Sequence, residues 1–152
     1  MPVSGVNRTI LHVDDDPQFT RIVAHLLQHR GYDVVSLSDP QEALGELVRH
    51  GYRIVILDID MPGVDGIELM RQIKEFDGGI QVIMLTGLVT LSSAMTAFRR
   101  GAEACFFKPL ESVDELCRSI DATFQKIEHW WGALNNLTKQ RRAVELAVAE
   151  QS

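Results

Sequence analysis

The sequence predicts an α/β domain: an open, doubly wound parallel sheet of five strands with helices on both faces. Three observations carry this reading. Five short apolar runs, at residues 9–13, 33–37, 53–57, 80–85 and 104–107, alternate with amphipathic segments of helical period. The runs are almost continuously apolar, the pattern of strands covered on both faces. A strand–helix unit repeated five times then closes most simply as a parallel sheet with right-handed crossovers.

Each helix carries its own start or stop signals. After the first run, Asp16-Pro17 reads as an N-cap with a first-turn proline. Ile22, Val23, Leu26 and Leu27 follow on one face, and Gly31 closes the segment. Asp39-Pro40-Gln41-Glu42 is a capping box, followed by Ala43, Leu44, Leu47 and Val48 at helical spacing. Residues 65–76 carry Ile67, Leu69, Met70 and Ile73. Residues 90–100 carry Leu91, Ala94, Met95 and Phe98, with Gly101 as the stop. Ser112-Val113-Asp114-Glu115 is a second capping box, opening a helix with Leu116, Ile120, Phe124 and Ile127.

Composition narrows the class. The 152 residues are 45% hydrophobic and 24% charged, ordinary for a globular chain. Fifteen basic residues against 21 acidic ones give a formal charge of −6, which argues against a chain built to coat DNA or an anionic membrane. Cys105 and Cys117 are too few for a disulfide framework or a four-cysteine zinc site, and read as packed thiols in a reducing compartment. The start, MPVSGVNRTI, lacks a signal-peptide pattern. No apolar run reaches the ~18–20 residues of a membrane span. The expectation is a soluble cytoplasmic protein without membrane contact.

In such a sheet, ligands sit beyond the carboxyl ends of the strands, at the switch point of the topology. The residues just after the runs are Asp14, Asp15 and Asp16; Asp58; Thr86, followed by Gly87; and Lys108, followed by Pro109. Crowded carboxylates repel one another unless a cation intervenes, and a hard divalent ion such as Mg²⁺ is the natural partner. An Asp beside such an ion can attack phosphorus to form an aspartyl phosphate. Lys108 and Thr86 could then serve as donors to the phosphoryl oxygens, and Gly87 leaves space beside the strand.

At this point the sequence resembles the receiver domain of two-component response regulators, as a stand-alone regulator. The matching elements are Ile10-Leu11-His12-Val13-Asp14-Asp15-Asp16; Leu57-Asp58-Ile59-Asp60-Met61-Pro62-Gly63 with Asp65-Gly66; Leu85-Thr86-Gly87; and Lys108-Pro109. The resemblance spans roughly residues 8–121. It implies a flavodoxin-like sheet of order 2-1-3-4-5, a receiver over residues 1–125 and a C-terminal helical extension over 126–152. It implies a signalling switch rather than an enzyme in the ordinary sense, catalysing only its own phosphoryl transfer and dephosphorylation. Asp58 would accept the phosphoryl group from a histidine kinase or phosphotransfer protein. Asp14, Asp15, Asp58 and the backbone carbonyl of Asp60 would hold Mg²⁺, with Mn²⁺ as a substitute. Thr86 and Lys108 would contact the phosphoryl group and report its arrival. Three residues before the lysine, where many receivers have Tyr or Phe as a switch, this chain has Cys105. Phe106 does not replace it, because neighbouring strand residues point to opposite faces.

Two other readings stand beside this one. Asp58-Ile59-Asp60 after an apolar run also resembles the nucleophile motif of haloacid-dehalogenase-type phosphatases, but that family places its acidic metal pair late in the chain, whereas Asp14 and Asp15 come early. A pseudo-receiver that binds partners without phosphorylation is the other. Several polar residues have plainer roles: Asp16 as an N-cap, Asp65-Gly66 as helix entry, and His25 and His29 as solvated residues on one helix face.

The last thirty residues are dominated by helix formers, with Gly132 and Asn135-Asn136 as weak spots that kink or end a helix. Ile120, Phe124, Ile127, Trp131 and Leu134 recur at three- and four-residue spacing, beside Trp130. Either the fifth helix extends and packs on another chain as a homodimer or docking face, or it folds back on its own receiver. Residues 138–142 interrupt the heptad, which argues against a long coiled coil. No helix-turn-helix signature is present, so direct DNA binding is not expected. Output would come through protein contact or onward phosphate relay, unless the stretch is a linker to an output domain.

Overall fold

The computed structural model describes residues 5–87 and 90–151. Residues 1–4, part of the start examined for a leader, and Ser152, the end of the predicted extension, lie outside the described residues. Five strands, β1 (Ile10–Val13), β2 (Val34–Leu37), β3 (Ile54–Leu57), β4 (Gln81–Thr86) and β5 (Ala104–Phe107), form one sheet. The order is β2-β1-β3-β4-β5 and every pairing is parallel, as the sequence predicts. Ile10, Leu11, His12 and Val13 pair in step with Val34–Leu37 on one side and Ile54–Leu57 on the other. The chain leaves β1 for β2 in one direction and returns to β3 in the other. The crevice beyond the carboxyl ends of β1 and β3 is therefore the switch point.

The helices are α1 (Pro17–His29), α2 (Ala43–Arg49), α3 (Gly66–Phe76), α4 (Leu91–Arg99) and α5 (Val113–Glu150). Their entries follow local chemistry. Asp16 accepts from the backbone N–H groups of Gln18 and Phe19, and Asp65 from that of Ile67. Thr90 caps Ser93 and Ser112 caps Asp114 in the same way. These bonds satisfy amides that a helix start leaves without partners. Gly31 and Gly101 follow α1 and α4 with φ of 88° and 105°, the left-handed turn glycine allows.

Three details depart from expectation. The Asp39 box opens a 3₁₀ turn, Pro40–Glu42, before α2 begins at Ala43. β4 starts and ends one residue later than its apolar run, because Gln81 N–H bonds to Arg53 and Thr86 still pairs with Phe107. Thr86 is thus the last residue of the strand rather than the first beyond it. The weak spots at Gly132 and Asn135-Asn136 do not break α5, and the extension does not fold back.

Two apolar layers cover the sheet. On one face Leu11, Val13, Val55, Leu57, Val82 and Met84 pack with Leu69, Met70 and Ile73 of α3 and with Leu47 and Ala97. On the other, Ile10, Ile54, Ile56, Ile83 and Leu85 pack with Val23 and Leu27 of α1 and with Leu116, Ile120 and Phe124 of α5. Alternate residues of each strand serve opposite layers, which is why the runs read as continuously apolar.

Gly66 is the tightest backbone contact. A Cβ there would lie 2.0 Å from the Asp58 carbonyl oxygen and 2.6 Å from Ile59 Cα. Its N–H donates to the Ile59 carbonyl at 2.7 Å, so the start of α3 is seated against the Asp58 segment. Gly66→Ala must push that segment aside. It is expected to lower unfolding free energy by about 3 kcal/mol in urea titration, the upper end for an overpacked site.

Candidate functional site

The site is assembled from the ends of β1, β3, β4 and β5. Asp14 N–H bonds to the Leu37 carbonyl and Asp58 N–H to the Val13 carbonyl, both at 3.2 Å, so the sheet ladder continues just far enough to fix both residues. Asp14 is fully buried, Asp58 almost so, and Asp15 is exposed. One carboxylate oxygen from each of the three lies within 4.8 Å of the others. Among the described residues this is the group of acids, histidines and cysteines with metal-site geometry. His25 and His29 instead stack edge to face at 4.6 Å on α1.

Lys108 closes the cluster from β5. Its N–H donates to the Thr86 carbonyl at 2.9 Å. Its ammonium reaches Asp14 Oδ2 at 2.6 Å and Asp58 Oδ2 at 3.2 Å. The opposite oxygens accept backbone amides, Asp14 Oδ1 from Asp16 at 3.0 Å and Asp58 Oδ1 from Asp60 at 3.2 Å. Burial pushes the Asp14 carboxyl above its usual range, although Lys108 pulls the other way. Burial pulls the Lys108 ammonium down, but Asp14 and then Asp58 outweigh it, and the net shift is upward. The lysine therefore stays charged. Three carboxylates still face one ammonium, and that excess fits a further hard cation better than a vacant pocket.

The remaining predicted residues fall around this centre. Thr86 is buried at the end of β4. Gly87 follows it, and a Cβ there would touch the Lys108 stem at an ordinary 3.7 Å. The Asp60 side chain points to solvent from a short hairpin, paired with Asp65. Cys105 packs with the α3-side layer, whereas Phe106 packs with the α1/α5-side layer, the opposite facing that strand alternation predicts.

A family model described as "Response regulator receiver domain" matches residues 10–121, about three quarters of the chain. The chain belongs to the receiver family. Known structures agree. A CheY-like receiver domain from Methanospirillum hungatei superposes with a TM-score of 0.74 at 26% identity, covering 80% of this chain and 97% of that one. A receiver domain from Clostridium thermocellum gives 0.74 at 28% identity, covering 79% and 96%. Among curated relatives, the transcriptional regulatory protein TrcR of Mycobacterium tuberculosis is 32% identical over 79% of this chain. DctD of Pseudomonas aeruginosa, a C4-dicarboxylate transport transcriptional regulatory protein, is 32% identical over 93%. The receiver spans 46% of TrcR and 29% of DctD, about half their length or less. The phosphatase alternative finds no support: the Asp60 carboxylate is exposed, and the acidic pair directly follows β1, the first strand.

Sequence reasoning missed two residues of this receiver. His12 lies in the middle of β1, fully buried, with neither ring nitrogen hydrogen-bonded. It meets the Phe19 ring edge to face at 6.0 Å, and Phe19 also takes the Lys108 ammonium 4.3 Å from its ring centre. The available signal was a lone histidine inside an apolar strand next to the acidic triplet. Burial, and secondarily Lys108, lowers the His12 pKa to about 3. The neutral form is thus bound into the fold. The unfolded chain takes up a proton near pH 6.5 and the folded one only near 3, so stability is lost as the pH is lowered from 6.5 towards 3. His12→Leu is expected to flatten that part of the acid limb by up to about 1.4 kcal/mol per pH unit, read from urea titrations in EDTA.

Proposed function

We propose that this receiver is a phosphorylation-dependent switch whose acceptor is Asp58. The observation that carries the reading is the Asp58 carboxylate, buried at the switch point and held between the Lys108 ammonium and the Asp14–Asp15 pair. A carboxylate oxygen of Asp58 attacks the phosphorus of a phosphohistidine on a kinase or phosphotransfer protein. The O–P bond forms, the P–N bond breaks, and the imidazole leaves with the bond's electron pair. Asp14, Asp15, Asp58 and the Asp60 carbonyl would hold Mg²⁺, or Mn²⁺ in its place, and that ion supplies charge neutralisation for the incoming phosphoryl oxygens. Lys108 then exchanges a carboxylate oxygen of Asp58 for a phosphoryl oxygen. The Thr86 hydroxyl donates to another, which moves the end of β4. Attack of water on the acyl phosphate resets the switch.

The donor has a place to dock. Phe19, Ile22, Val23 and Leu26 of α1 form an apolar groove with Pro109 and Leu110, of about 500 Å³, that opens beside Lys108. A donor protein seated there brings its phosphohistidine to the site. The output side is offered by α4, where Leu91, Met95 and Phe98 are exposed at i, i+4 and i+7 on one face. No helix of the described residues is long and apolar enough to cross a membrane. The acidic composition also fits a cytoplasmic chain that signals through protein contact rather than by binding DNA itself.

Incubation with acetyl phosphate and Mg²⁺ tests the reading. The intact mass is expected to rise by one phosphoryl group in wild type. The increment should be absent in Asp58→Asn and absent when EDTA replaces the metal. An Asp58→Asn protein that still labels at the wild-type level would move the acceptor elsewhere. Because Cys105 faces the layer opposite Phe106, Cys105→Tyr is expected to label at an unchanged rate, with any effect confined to partner binding.

A further inference from the structure

α5 is a single helix of 38 residues with two different surroundings. Its first half is fastened to the receiver. Leu116, Cys117, Ile120, Thr123 and Phe124 are buried. Asp121 bonds to the Tyr32 hydroxyl, Glu128 pairs with Arg8, and Lys126 pairs with Glu103 at 3.2 Å. Beyond Gly132 every described residue is exposed. Yet the apolar stripe does not stop. Placing Ile120 at a heptad a position gives Ile127, Leu134, Arg141 and Val148 at a, and Thr123, Trp130, Leu137 and Val144 at d. The face that packs on the receiver runs off its edge with Trp130, Leu134, Leu137, Val144 and Val148 each more than half exposed. In proteins most helical stability comes from packing an apolar face against something, and here that face is left open.

We propose that this stripe is covered by the same stripe of a second copy, running antiparallel. The charge on the stripe decides the direction. In a parallel pair, a faces a, and the Arg141 side chains of the two copies would meet in the seam as like charges. In an antiparallel pair, a faces d. The register that sets Leu134 against the partner's Leu137 also sets Ile127 against the partner's Val144 and Trp130 against the partner's Arg141. The one charged seam residue thereby lands on an aromatic ring, a favourable cation–π partner. The contact is self-complementary, as a two-fold dimer requires.

A crevice on the receiver offers a seat for each end of that pair. A crevice of about 220 Å³ lies between α5 and the amino-terminal edge of the sheet, lined by Gly78, Gly79, Gln81, Ile127, Trp131 and Leu134 among others. The partner's Val144, level with Ile127, covers its mouth. The paired segment, residues 127–144, extends about 27 Å at the rise of an α-helix. The two receivers then sit at opposite ends, with their phosphoacceptor clusters free.

Sedimentation equilibrium on the full 152-residue chain is expected to give a dimer. Leu134→Glu, at an exposed position, should give a monomer that still labels with acetyl phosphate, which shows that the receiver is folded. Direction is read by oxidative cross-linking in a Cys105→Ala, Cys117→Ala background. Mixing Ile127→Cys protein with Val144→Cys protein should yield a disulfide-linked heterodimer, whereas Val144→Cys alone should not link to itself. A monomeric wild type overturns the proposal. So does self-linking of Val144→Cys, which reports a parallel pair, and so does a dimer without the mixed disulfide.

Discussion

Two carboxylates can be taken out of water only if something positive goes with them, and here that is one ammonium. Lys108 holds Asp14 and Asp58 together across the ends of three strands. Burial favours the neutral form of Asp14, yet the same burial strengthens its attraction to Lys108. The balance leaves a cluster that is held in place but short of positive charge. A site so poised suits a hard cation and, in the proposed switch, a phosphoryl group, because each would change which oxygen the lysine holds.

The sheet carries that exchange outward. Thr86 and Lys108 end neighbouring strands, and the Lys108 amide is bonded to the Thr86 carbonyl. Residues just before them alternate between the two apolar layers, so a shift at the strand ends is felt on both faces. Cys105 occupies the α3-side layer with little volume. Phe106, its aromatic neighbour, lies in the opposite layer. In the proposed switch, a displacement of the β4 end would reach the α4 surface through backbone and aliphatic packing.

Much of this was legible in the sequence, for definite reasons. The five runs gave the sheet because burial on both faces suppresses polar residues. Asp16, Asp65, Thr90 and Ser112 marked helix starts because their short side chains satisfy amides that nothing else nearby can. Asp14, Asp58, Thr86 and Lys108 were found by position, since chemistry in such sheets gathers at the carboxyl ends. Phe19 and His12 were not found. Their importance lies in contacts that join β1, α1 and the residue after β5, which sequence spacing does not encode. The extension of α5 was legible from its helix formers, but the weak propensity of Gly132 and Asn135-Asn136 is overridden within a long continuous helix.

The unbroken α5 also has a mechanical meaning. Its base is clamped among Leu116, Ile120 and Phe124, in the layer that backs the strands carrying the acidic cluster. From Phe124 to Glu150 the helix reaches about 39 Å, so a tilt of about 5° at the base moves its far end by about 3 Å. In the proposed switch, shifts near Asp58 too small to remodel a surface would become, at the tip of this rod, displacements the size of an atom.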